Sequence, residues 1–166
     1  ATAGRWKRTR SGFAPGIVPG ISSAIQCFTG PGDRIMIQPP VYHPFAMIIR
    51  ENGREIVNNP LVLENGRYRM DFEHMRKAVR GCGMFILCNP HNPGGRVWNP
   101  EELEQVAEIC AESGTLVISD EIHADLTLPA AGTPFLPPSR KKPATIPSHT
   151  WRPARRLTCR VWPVPT

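Results

Sequence analysis

No apolar run in this chain approaches the ~20 residues that a membrane-spanning helix needs, so such a helix is excluded. A basic start followed by an apolar stretch is also missing, and without that leader pattern the expected compartment is the cytoplasm. The five cysteines, Cys27, Cys82, Cys88, Cys110 and Cys159, follow none of the paired spacings of a zinc site or a disulfide framework. Reduced, mostly buried thiols are expected instead. No Gly-x-Gly-x-x-Gly follows a strand pattern, which argues against a dinucleotide-binding domain. Acidic residues are absent from 139–166, which nevertheless holds seven Lys/Arg.

What is present fits one globular domain: 166 residues of which 40% are hydrophobic, enough for a single core. The net charge of +6 is unevenly spread. Residues 1–10 hold four Lys/Arg, whereas residues 11–138 hold nine against fourteen acids. The middle of the chain is therefore acidic, which disfavours nucleic acid as a partner.

Apolar residues at Ile21, Ala24, Ile25 and Phe28 recur at helical spacing and predict a helix from Ile17 to about Phe28, closed by Gly30-Pro-Gly-Asp33. Arg34 to Gln38 reads as a short buried strand, and His43 to Glu51 as a second helix. Residues 54–69 surround Asn65-Gly66, a hairpin signal, and Asp71 is placed to cap a helix running through Val79. Met84 to Cys88 and Thr115 to Ser119 are continuous apolar runs of the kind buried on both faces of a parallel sheet. Between them Pro100-Glu-Glu opens a helix with acids suited to its dipole, ended by Gly114. The alternation of strand and helix predicts an α/β fold. Beyond about Pro137 the periodicity stops, so residues 1–12, 13–137 and 138–166 are expected to be an unmatched start, the folded domain, and a basic, Pro-rich, disordered tail.

In open α/β sheets ligands sit beyond the carboxyl ends of the strands. One apolar run empties into Asn89-Pro-His-Asn-Pro-Gly-Gly95 and another into Ser119-Asp-Glu-Ile-His123. Together with FAPGIVPGISSAI and QPPVYHPF, the segments CNPHNPGGRVW and SDEIHADL resemble the signatures of fold-type I pyridoxal-phosphate enzymes, the class I/II aminotransferases, and DEIH resembles their cystathionine beta-lyase branch. The likeness covers about residues 13–129 and implies part of a mainly parallel sheet flanked by helices, the large domain of such an enzyme.

The resemblance also implies roles. Asp120 corresponds to the carboxylate set against the pyridine nitrogen of pyridoxal 5'-phosphate, which keeps the ring protonated as an electron sink. Asn92 corresponds to the asparagine on the cofactor's phenolic oxygen, and Tyr42 to the aromatic stacked on the ring. Gly16, Ile17 and Val18 precede a helix start whose free N–H groups favour a phosphate. His123 stands near the phenolic oxygen, where many aminotransferases carry a tyrosine. Taken singly, a strand followed by Asp is a cap, Asn-Pro is a turn and Pro-Gly before a helix is common; the ordered set is what carries the reading. Gly94 stands where the family usually has a threonine, which implies a looser loop. His91, His43 and Glu121 are accounted for by loop packing and solvation.

The family also needs a Ser-Lys motif, whose lysine forms a Schiff base with the cofactor, some thirty-odd residues after the aspartate. After Asp120 the only lysines are Lys141 and Lys142, too early and in the wrong context, so no catalytic residue is assigned. Residues 140–163 permit, in a shifted reading frame, a family-like continuation whose Ser-Lys lysine arises across Ala154 and Arg155. This predicts that the nucleotide sequence continues in that frame as a long open one. The expected function is thus a fragment of a carbon–sulfur β-lyase acting on sulfur amino acids, with negligible turnover alone. The resemblance further implies a homodimer. Two alternatives stand: an aminotransferase of the same family, and a nucleic-acid-binding module working through the basic tail with Trp151 and Trp162, which salt-dependent binding would reveal.

Overall fold

The computed structural model describes residues 14–124 and the backbone of 157–158. Eleven elements follow one another: α1 (Ile17–Phe28), β1 (Arg34–Ile37), α2 (Pro44–Glu51), β2 (Glu55–Asn58), β3 (Val62–Glu64), β4 (Arg67–Arg69), α3 (Phe72–Ala78), β5 (Cys82–Cys88), α4 (Pro100–Ser113), β6 (Leu116–Asp120) and β7 (Leu157–Thr158). The main sheet runs β2-β1-β5-β6-β7 with every pairing parallel, and β3 and β4 form a separate antiparallel hairpin.

Period-two alternation divides the strands between two cores. Ile35, Ile37, Met84, Ile86, Cys88, Leu116 and Ile118 face α1 and α2, while Met36, Phe85, Leu87 and Val117 face α3 and α4. Both faces of the sheet are therefore buried, which is why β5 and β6 read as unbroken apolar runs. Cys82 breaks the parity: it lies with Phe85 and Leu87 because the β1–β5 register shifts at Gly83, placing one extra residue in β5. Burying a side chain such as Ile35, Phe85 or Ile118 stabilises by about 1.5–3 kcal/mol before the cost of ordering it.

The expected α/β architecture is realised, with several boundaries moved. β5 starts at Cys82, ahead of the expected Met84, and β6 runs to Asp120. The stretch 54–69 is more than a hairpin: Glu55–Asn58 is an edge strand of the main sheet, half-buried and polar at both ends, so it lacks the continuous apolar run that marks an interior strand. The hairpin occupies only 62–69, and its turn needs the left-handed backbone of Asn65 (φ 49°) and Gly66 (φ 73°). The backbone of 157–158 lies along β6, although the sequence places residues 138–166 outside the fold; the rest of that tail, the 1–12 segment and the shifted-frame expectation lie outside the described residues.

From β1 the chain moves outward through α2 to β2, then returns across β1 to β5 and continues the opposite way through α4 to β6. The connections diverge between β1 and β5, which is where a doubly wound sheet opens a ligand crevice.

Candidate functional site

Two loops frame that crevice. The loop after β1 is anchored from below: the Gln38 side-chain amide donates to Asn59 Oδ1 at 2.9 Å, and buried Asn59 donates to the Asp71 carbonyl at 3.1 Å. Tyr42, half-buried, then packs edge-on against Phe45, with ring centroids 5.6 Å apart.

The loop after β5 is held more tightly. Trp98, fully buried, donates its indole N–H to the Cys88 carbonyl at 3.0 Å and its backbone N–H to Asn89 Oδ1 at 3.2 Å. The Arg96 guanidinium lies 5.0 Å over the Trp98 ring and reaches Glu102 at 2.8 Å and the Tyr68 carbonyl at 2.9 Å. Within the loop, the Asn92 backbone N–H points to Cys88 Sγ at 3.4 Å, and that thiol donates to the Pro90 carbonyl at 3.3 Å. Asn92 is thus presented by a backbone fixed on both sides.

Asp120 ends β6 directly beside Cys88 and is 3% exposed. Its Oδ1 accepts the Ile122 N–H at 3.1 Å. Burial pushes its carboxyl above the usual range, opposed by that N–H and by the charge of His123. Burial likewise pushes the Cys88 thiol up to about 12, with the Asn92 N–H working against it and the Asp120 charge adding to it. A buried carboxylate of this kind favours a cationic partner. His123, half-buried, stands one short turn beyond.

Gly16, in extended backbone at φ 162°, precedes α1, whose first turn carries no acid and no side-chain cap. The N–H groups of Ile17 and Val18 belong to the set that a helix start leaves unbonded. Because α1 runs down the sheet before a short turn into β1, its start lies at the carboxyl end of the strands, and Ile17 and Val18 pack in the same core as Tyr42 and Cys88.

The fold thus gathers all seven candidate residues at one end of the sheet, although an open cavity of about 790 Å³ lies on the far side of Tyr42, between α2 and β2. That cavity shares Tyr42 with the crevice but contains neither Asn92 nor Asp120. A Cβ at Gly94 would come 2.9 Å from Tyr68 Cδ2 and 3.0 Å from His91 Cδ2, so those rings fill the space a side chain would need. Solvation does not explain His91 and Glu121, which are 3% and 2% exposed; Glu121 accepts the Ser119 hydroxyl at 3.0 Å. Cys88, His91, Arg96 and Trp98 lie inside the CNPHNPGGRVW segment, but the sequence gives none of them a part in the site.

The family model for aminotransferase class I and II matches residues 7–141. The chain belongs to that family. It is 49% identical over 118 residues to cystathionine beta-lyase PatB of Bacillus subtilis (strain 168), covering 70% of this chain and 30% of PatB. Cystalysin from Treponema denticola, whose crystal structure contains a pyridoxal 5'-phosphate cofactor, superposes with a TM-score of 0.71 at 37% identity, over 73% of this chain and 31% of that one. N-Succinyldiaminopimelate aminotransferase from Mycobacterium tuberculosis superposes with a TM-score of 0.66 at 28% identity, over 69% and 30%. The chain therefore spans about three tenths of the length of these class I and II relatives. Among the described residues no helix is long and apolar enough to cross a membrane, and no cluster of His, Cys, Asp and Glu could hold a metal ion.

Proposed function

We propose that the crevice is the ring-holding part of a pyridoxal 5'-phosphate site in a carbon–sulfur β-lyase of the cystathionine type. The observation that carries this reading is Asp120, a buried carboxylate at a strand's carboxyl end whose elevated proton affinity marks the want of a cationic partner. The protonated pyridine nitrogen is such a partner, and the cofactor, when bound, supplies an electron sink for the substrate's α-carbon. Asp120 would hold the ring nitrogen protonated, the Asn92 side chain and His123 would meet the phenolic oxygen, Tyr42 would cover the ring face and exclude water, and the N–H groups at Gly16–Val18 would take the phosphate.

The single lysine among the described residues is Lys77, on α3 and paired with Glu73 at 3.0 Å. The described residues thus offer the cofactor no Schiff-base lysine, and the binding proposed for them is non-covalent, with negligible turnover expected of them alone. The substrate class proposed is sulfur-bearing amino acids, and the partner proposed from the family resemblance is a second copy of the chain. The 49% identity to PatB favours the lyase; the likeness to N-succinyldiaminopimelate aminotransferase keeps amino-group transfer as the second reading. Release of ammonia with a thiol would mark the former, and passage of the amino group to a keto acid the latter.

Equilibrium dialysis of the 166-residue chain against pyridoxal 5'-phosphate tests the assignment. The chain is expected to retain the cofactor, Asp120→Ala to weaken retention about tenfold or more, the loss of one charge-assisted bond, and borohydride to fix it to no preferred lysine. Equal retention by Asp120→Ala would sink the reading.

A further inference from the structure

His91 lies between the two proposed ring contacts without a task of its own. Its Nε2 is 2.8 Å from the Pro40 carbonyl oxygen. A carbonyl only accepts, so Nε2 carries the proton and Nδ1 is the bare nitrogen. Nδ1 is buried with no hydrogen-bond partner, and burial holds the imidazole below its usual pKa against the pull of the Pro40 and Cys88 carbonyls. The ring meets Trp98 edge-on at 5.5 Å between centroids, and the absent side chain of Gly94 leaves room for it. Its own backbone is pinned, N–H to the Arg96 carbonyl at 2.7 Å and carbonyl to the Gly95 N–H at 2.8 Å.

This one bond crosses the crevice. Pro40 stands two residues before Tyr42 on the loop after β1, and His91 immediately precedes Asn92 on the loop after β5, the bonded residues being 51 positions apart in sequence. We propose that His91 is a positioning residue that sets the gap between Tyr42 and Asn92, and with it the width of the ring slot, through its Nε2–H bond to Pro40. The inference rests on the reading of the crevice as a pyridoxal-phosphate site, and it concerns how that site is kept at the right width.

Two variants separate the bond from the bulk it brings. His91→Leu keeps an apolar body but leaves the Pro40 carbonyl without its imidazole donor, whereas His91→Gln keeps an N–H donor. In the cofactor-free 166-residue chain, nitrogen NMR is expected to find a neutral imidazole protonated at Nε2. His91→Leu is expected to shift the Tyr42 and Asn92 resonances together, and His91→Gln to restore them. An Nδ1–H tautomer, or unmoved resonances in His91→Leu, would overturn the proposal; the tautomer measurement decides even if His91→Leu does not fold.

With pyridoxal 5'-phosphate added, His91→Leu is expected to bind about tenfold more weakly and His91→Gln within about threefold of the original chain, the range spanned by losing or keeping one part-buried hydrogen bond. Binding of inorganic phosphate, which needs only the start of α1, is expected to stay unchanged. Loss of phosphate binding in step with the cofactor would assign His91 to general stability and overturn the positioning role. If the unmutated chain takes up no pyridoxal 5'-phosphate, the functional reading fails, and the NMR comparison alone decides whether the clamp exists.

Discussion

At Asp120 the binding proposed for the crevice would oppose stability. Its proton is held more tightly in the folded chain than in the unfolded one. Stability therefore falls as pH rises from the unfolded carboxylate range through the folded value, and above that value the whole cost of burying the charge is present. Asp120→Asn keeps an oxygen to accept the Ile122 N–H but carries no charge. It is expected to be more stable than the unmutated, cofactor-free chain at about pH 8, because the buried carboxylate is charged there. The difference should narrow as pH falls and close only below the unfolded carboxylate range, at about pH 3, where the aspartate is neutral in both folded and unfolded chains. Urea unfolding at the two pH values measures it, and a less stable Asn variant at the higher pH would contradict the burial argument. The positions legible in the sequence are those, like Asp120 and Asn92, whose placement is fixed locally by a strand end or a Pro-flanked turn. His91 was not, because nothing near it in sequence tells that the Pro40 carbonyl stands opposite.

Among the elements, α4 is tied to the site by the way it begins. Asn99 Oδ1 accepts the Glu102 N–H and Glu102 Oε2 accepts the Asn99 N–H, both at 2.8 Å, while Glu102 Oε1 holds Arg96. Asn99→Ala removes only the cap and is expected to cost about 1 kcal/mol in chemical unfolding. Glu102→Ala removes the reciprocal bond and also the half-buried Arg96 pair, so it should cost more, with the added loss appearing as greater exposure of Trp98 to a fluorescence quencher. Equal costs for the two variants would mean that the ion pair adds nothing. Pro100-Glu-Glu marks this helix start in the sequence; the links of Glu102 to Asn99 and Arg96 emerge only from the structure. The same contrast holds for strands: β5 and β6 announce themselves because both faces are buried, whereas β2 is an edge whose membership of the sheet is decided by its neighbour β1.

On the scale of the whole molecule, the excess positive charge belongs to the ends of the sequence, and the region that builds the sheet and crevice is acidic. The strand order has a further effect, on the time course of folding. β1 meets β2 after one helix and β5 meets β6 after one helix, but β1 meets β5 only across α2, β2, the hairpin and α3. Closing the longest loop is the slowest of these pairings. The two half-sheets are therefore expected to gain amide protection first and the β1–β5 seam last, an order that pulsed hydrogen exchange would read and that early protection along the seam would refute. A chain arrested midway would then possess most of its native strand pairs and helices while the crevice between Tyr42 and Asn92 did not yet exist.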